Sequence, residues 1–457
     1  MRKLAPYLIA LGVTAAGELP ATATPASELP PSEFRARRVE AMRRMPDGIL
    51  LLHSASMNFP SDQLFVHGYQ QQPDFFYLTG LASASRVVLA LDAAAKETWL
   101  FVPTDARGTF GGMLTFPRIE PGEKSAAALG FDKVADRKEL AAFLTRRQET
   151  PGLLLYTTGA AEQHGFPLDI ALDDPQAAWG HAMGELWPTG RLKAAEPILQ
   201  AMRQIKSPAE IAALRTTGAA SARALKAGLA SLRPGRSQRE AEGDVVCACL
   251  DAGAEGPSFW PWVMTGPKSA FPAPFESLFD YRHLNRAMQA GEVARVDVGC
   301  DADHYKGDVG RTAPVSGRFD AGQRETWELL VASYRAGLAT IRDGVTPEAV
   351  FAASLAEVRR RQPSLATPLG RKAAEVLLGQ DGLKYWGIHG VGLDPGEEPP
   401  KTLAASMVVA FEPIFSVEGQ GFYLEDMVLV TKDGHEILTP GLPYSAEEIE
   451  RAVRARN

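Results

Sequence analysis

The chain has 457 residues, 45% hydrophobic and 23% charged, the proportions of a soluble globular protein with room for two or three domains. Its net charge of −7 excludes the dominant basic face of a nucleic-acid binder. Three cysteines (Cys247, Cys249, Cys300) cannot make a disulfide framework and have no metal-binding spacing, so they read as small buried apolar residues.

In chain order, Arg2 and Lys3 precede an apolar run from Leu4 to Ala16, and Ala15-Ala16-Gly17 offers small residues for cleavage. With the Pro-rich stretch that follows (Pro20, Pro25, Pro30, Pro31), residues 1–33 read as an export signal and linker. The run is well short of the ~20 residues that cross a bilayer, so no membrane span is expected. From its signal-like start the protein is expected to be exported, periplasmic or secreted, with a cytoplasmic protein as the alternative. Three compact apolar runs come next, Gly48–His53 (GILLLH), Val87–Leu91 (VVLAL) and Thr98–Val102 (TWLFV), with a helical pattern at Lys138–Arg147. Strands alternating with helices predict an α/β domain over 34–190.

A second domain is expected over 200–457. Ser207 is placed to cap a helix that starts at Pro208, with Glu210 where the helix dipole favours an anion. Ala-rich helices run to about Ala252, then strand-like pieces at Phe259–Thr265 and Val293–Val298. Helices are expected at Ala321–Arg342 and Pro347–Arg361, and three strands at Val408–Phe411, Phe422–Leu424 and Met427–Thr431. Helices and antiparallel-type strands in separate blocks predict an α+β class for this half.

Five residues of the second half carry the chemistry: Asp297 and Asp308 in RVDVGCDADHYKGDVGRT, His389 in GIHGVGLD, Glu412 in VAFEPIF and Glu425 in FYLEDMVLV. Asp297 and Asp308 are eleven residues apart, a spacing that a hairpin brings onto adjacent strands facing one side. Acids are seldom set into apolar strands, and four of them packed together repel one another. Two divalent cations offset that charge and activate a water as nucleophile, which makes a hydrolase the leading idea. Trp260, Trp262, Tyr281 and Trp386 are candidates for an apolar pocket.

This ordered set resembles the pita-bread metallopeptidases, which include aminopeptidase P, prolidase and methionine aminopeptidase. MRQIKSPAEIAALR (Met202–Arg215) and PDFFYLTG (Pro73–Gly80) resemble the proline-specific branch. The resemblance implies a pita-bread catalytic domain behind an aminopeptidase P-like N-terminal domain, and two metal ions held by Asp297, Asp308, His389, Glu412 and Glu425. Manganese is the expected metal, with cobalt or zinc as alternatives. It also implies hydrolysis of the bond preceding proline in a peptide substrate, with Glu412 as base, and a dimer or tetramer. The pattern departs at the family's other histidines: Tyr385 and Gly396 stand at two of those positions, and Phe271–Phe275 or His283 lies near the third. Tyr385 is the candidate to donate a hydrogen bond in place of the first. The family's basic residue two before the last acidic ligand is Tyr423 here, which weighs against a dipeptidase. A scaffold that kept the fold and lost catalysis is the reading of another class, which five retained ligands disfavour.

Overall fold

A computed structural model of the chain describes residues 29–55, 70–104, 119–159, 175–188, 190–270, 280, 282, 285–379 and 382–455. The expected export signal, Phe271–Phe275, Tyr281 and His283 lie outside the described residues. The chain divides into two compact units, Pro31–Ala194 and Ala195–Asn457.

The first unit opens with helix α1 (Pro31–Arg44), which begins at a proline read from sequence as linker. Proline suits a first helical turn, where its missing N–H has no partner to lose. Strands β1 (Gly48–His53), β2 (Val88–Asp92), β3 (Glu97–Val102), β4 (Lys133–Asp136), β5 (Leu154–Thr157) and β6 (Leu192–Ala194) form one mixed sheet in the order β4-β3-β2-β1-β5-β6. The expected apolar runs are its central strands, and their buried residues (Ile49, Leu51, Val88, Phe101, Leu155) pack with Phe143 and Trp187.

The second unit begins with α2 (Glu196–Gln204), α3 (Pro208–Ala230) and α4 (Gln238–Asp251). The Ser207 hydroxyl accepts from Glu210 N–H while the Glu210 carboxylate accepts from Ser207 N–H, a reciprocal cap that fixes where α3 starts. The main sheet contains β8 (Trp262–Thr265), β9 (Val293–Val298), β12 (Val309–Pro314), β13 (Trp386–Gly390), β14 (Val408–Val417) and β15 (Gln420–Val430), in the order β13-β14-β15-β12-β9-β8. A short β16 (His435–Ile437) also pairs with β15. Two expected strands on either side of Glu425 and Asp426 are a single strand, β15. Both acids sit inside it fully buried because each has polar partners. Asp426 accepts from Arg311, Tyr334, Thr439 and Tyr444, so β15 need not break to hydrate it.

Between β9 and β12 the chain makes an excursion in place of a plain hairpin. It forms β10 (Cys300–Ala302) and β11 (Tyr305–Lys306), which join β7 (Gly256–Pro257) in a small sheet. Gly299 permits this: a β-carbon there would lie 1.8 Å from Gly307 O, so only glycine lets the chain cross itself at that point. Ser221 and Thr217 of α3 hold the excursion, with Cys300 N–H donating to Ser221 Oγ at 3.0 Å.

The reading of the cysteines needs correction. Cys249 of α4 and Cys300 of β10 form a disulfide, and Cys247 is exposed and free. A pair separated by 51 residues carries no sequence signature, and only folding sets the two side by side.

Candidate metal centre

The register of the second sheet explains why five residues scattered over 129 positions meet. Asp297 lies opposite Gly310, Gly310 opposite Glu425, and Gly387 opposite Glu412. The pairs Phe411↔Asp426 and Ile414↔Tyr423 set Glu412 opposite Glu425. One row therefore crosses six strands as Gly387, Glu412, Glu425, Gly310, Asp297 and Trp262. His389 stands two residues beyond Gly387 and Asp308 two before Gly310, and side chains two apart along a strand share a face. All five candidate ligands thus project from one side of the sheet.

Glycines keep the row open. A β-carbon on Gly387 would come within 3.0 Å of Glu412 Oε1, and one on Gly310 within 1.8 Å of the Tyr423 ring. His389 Nε2 lies 3.4 Å from Glu412 Oε1, 3.8 Å from Glu425 Oε1 and 3.9 Å from Asp308 Oδ2. Ligand atoms of Asp308, His389 and Glu425 all fall within 4.8 Å of one another. His389 Nδ1 is 3.0 Å from Gly390 O, so Nδ1–H donates to the carbonyl and Nε2 faces the acids.

The electrostatics are those of a site built for cations. Burial raises Asp297 to about 7, with the Glu412 charge adding to the effect and Arg295 opposing it. Burial and the charges of neighbouring acids push Asp308 and Glu425 well above the carboxylate range. Burial disfavours charge on His389, but the hydrogen bond and charge of Glu412 and the charge of Glu425 outweigh it and raise the imidazole to about 9. Glu425 Oε1 is fully buried and has no hydrogen-bond partner among the described residues. An orphaned carboxylate oxygen beside an imidazole and two aspartates fits a divalent ion, whose charge would return every one of these groups to its ligating form. Glu412, its side chain 27% exposed, is the most accessible of the four acids.

Other predicted residues fall elsewhere. Tyr385 is partly buried and sets its ring edge-on against Phe415, at the margin of the hydrophobic core. Strand alternation puts Phe415 on the face away from Glu412, so Tyr385 turns from the ligands. Trp386 is buried against Phe411 and belongs to the core. Trp262 lies at the end of the ligand row, beside Asp297. Gly396 has open space where a side chain would be.

One residue at the site was not singled out by the sequence reading. Arg295 of β9 is 1% exposed and faces the same side as Asp297, with Nη2 3.4 Å from Asp297 Oδ2. The signal was present: VARVDV is buried at every position, and an arginine there needs a reason.

Comparison with known proteins agrees with this architecture. The sequence model of metallopeptidase family M24 matches residues 212–432, and that of the aminopeptidase P N-terminal domain matches residues 34–153. The chain is 25% identical to a Xaa-Pro aminopeptidase of Escherichia coli over 452 residues, 94% of this chain and 99% of that one. A Xaa-Pro aminopeptidase of Haemophilus influenzae is likewise 25% identical, covering 93% of this chain and 98% of its own. The structure superposes on that of E. coli aminopeptidase P bound to the inhibitor Pro-Leu with a TM-score of 0.74 at 24% identity, covering 94% of this chain and 99% of that one.

Proposed function

Because this chain belongs to metallopeptidase family M24, in the branch with an aminopeptidase P N-terminal domain, we propose that it is a Xaa-Pro aminopeptidase, a metal-dependent enzyme that hydrolyses the peptide bond preceding proline. The observation that carries this reading is the single row of Glu412, Glu425 and Asp297, with His389 and Asp308 one step to the side. We assign 34–190 as the N-terminal domain and 200–457 as the catalytic domain.

In this reading Asp297, Asp308, His389, Glu412 and Glu425 hold two divalent ions, with manganese as the proposed metal because oxygen donors dominate. Bound there, the ions would supply Lewis acidity, polarising the scissile carbonyl and easing loss of a proton from water. The protein's part is geometric and protonic. Glu412, the most open ligand, is positioned to take a proton from the attacking water. His389 is held in one tautomer by Gly390 O. Tyr423, whose phenol burial keeps protonated, donates to Glu425 Oε2 at 2.6 Å and orients that carboxylate. Tyr385 is left out because its ring packs against Phe415, on the face away from the ligands.

The Cys249–Cys300 disulfide supports the proposed export, since such bonds persist in oxidising compartments. Among the described residues no helix is long and apolar enough to cross a membrane. A homo-oligomer remains part of the proposal.

Turnover of Xaa-Pro-Xaa tripeptides and Xaa-Pro dipeptides, measured with added manganese, tests the assignment. Tripeptides are expected to be cleaved and dipeptides to be poor substrates. Metal-loaded protein that cleaves neither class would refute it, and preference for dipeptides would make it a prolidase.

A further inference from the structure

Arg295 is a guanidinium enclosed in the sheet beside four carboxylates. Its Nε and Nη1 have no hydrogen-bond partner among the described residues, and its one ion pair is with Asp297. Its guanidinium carbon lies 5.0 Å from the centre of the Tyr423 ring. A buried, half-satisfied arginine is costly, and a fold retains one where it does something an apolar residue could not. The register shows what surrounds it. Arg295 pairs with Thr312, whose hydroxyl accepts from Tyr423 N–H, so Arg295, Thr312 and Tyr423 form the row next to the ligand row on the same face. The Tyr423 ring lies across Gly310. Its hydroxyl donates to Glu425, while Arg295 donates to Asp297.

We infer that Arg295 and Tyr423 act as one positioning pair: stacked on each other, they fix the two acidic ligands at either side of Gly310, and Arg295 holds Asp297 with one oxygen turned to the arginine and the other to a metal. This rests on the metal-centre reading above. The charge balance favours it. Four carboxylates face two divalent ions at neutrality, and a fixed cation beside Asp297 supplies the surplus that an anionic nucleophile or a substrate carboxylate would meet. A guanidinium held against the Tyr423 ring also restrains the rotation that a free aspartate would undergo in an ion-free site. Tyr423 alone cannot do this, because its hydroxyl is engaged with Glu425.

The test is isothermal titration of chelated protein with manganese, which reads affinity without turnover. Wild type is expected to take up two ions. Arg295→Met should weaken one of them by about 10–100-fold and leave the other near wild type, the usual cost of losing an outer partner of a metal ligand. Tyr423→Phe removes the hydroxyl that donates to Glu425 and should weaken manganese binding by a similar factor. Melting curves establish that each variant is folded. Should Arg295→Met not fold, Arg295→Lys keeps the charge without the planar guanidinium on the Tyr423 ring, and an intermediate loss of affinity is expected from it. Two ions bound as tightly by the Arg295 variants as by wild type would overturn the proposal. So would a folded Arg295→Met that weakens both ions equally, since that marks a purely structural role. A wild type that takes up no manganese would instead sink the metal centre, and this proposal with it.

Discussion

Asp297, Asp308, Glu425 and His389 all hold their protons more tightly in the ion-free protein than they would in water, and that sets a sign that can be measured. A metal must displace those protons, so binding should tighten as pH rises through about 7, where Asp297 titrates, towards about 9, where His389 does. Stability runs the other way without metal. Asp297 is raised from 3.8 and His389 from 6.5, so between those values and the raised ones the folded chain binds more protons than the unfolded chain. Its stability therefore falls as pH increases through that window. The gap between metal-loaded and metal-free melting temperatures should widen from pH about 5 to about 9. A gap that is constant or shrinks with pH would contradict the cluster's electrostatics. Arg295 and the glycines at 310 and 387 belong to the same scale: they set how closely the acids approach and cannot be ranked by residue type alone.

At the scale of elements, the loop after His389 is held by a second charged group, distinct from the ligands. Glu397 bridges back to Gly390 and pairs with Lys206 Nζ at 2.8 Å and Arg203 Nη2 at 2.8 Å. The Lys206 side chain is 1% exposed, and its ion pair with Glu397 is buried on both sides. Burial alone would raise Glu397, yet the two cations hold it below the usual carboxylate range. Glu397→Gln leaves Lys206 buried without a full partner and should cost about 3–5 kcal/mol, read as a lower urea midpoint. A shift near zero would show the loop to be anchored elsewhere. The strands teach a related lesson. The sequence predicts two strands, Phe422–Leu424 and Met427–Thr431, where the structure has the single β15. The strand continues because one acid faces the ligands and the other meets Arg311 and three hydroxyls on the opposite face. Alternation was legible, but the partners were not.

For the whole molecule, the Cys249–Cys300 bond ties α4 to the excursion that links the two aspartate-bearing segments. Thiol titration of unfolded, unreduced protein should find one thiol, Cys247, and three after reduction. Replacing Cys249 and Cys300 together by serine should cost about 4 kcal/mol for a loop of this length. Three thiols before reduction would remove the disulfide and with it the structural support for export. The sequence by itself determined the two-part architecture, the central strands and the choice of five candidate ligands. Each of those depends on local apolar patterning or on residue types that are costly to bury. Only the tertiary structure decided that Tyr385 packs against Phe415 and away from the acids, that two cysteines bond, and that Arg295 and Tyr423 flank the acids. Those outcomes follow from strand register and from contacts between distant segments, which no local pattern encodes.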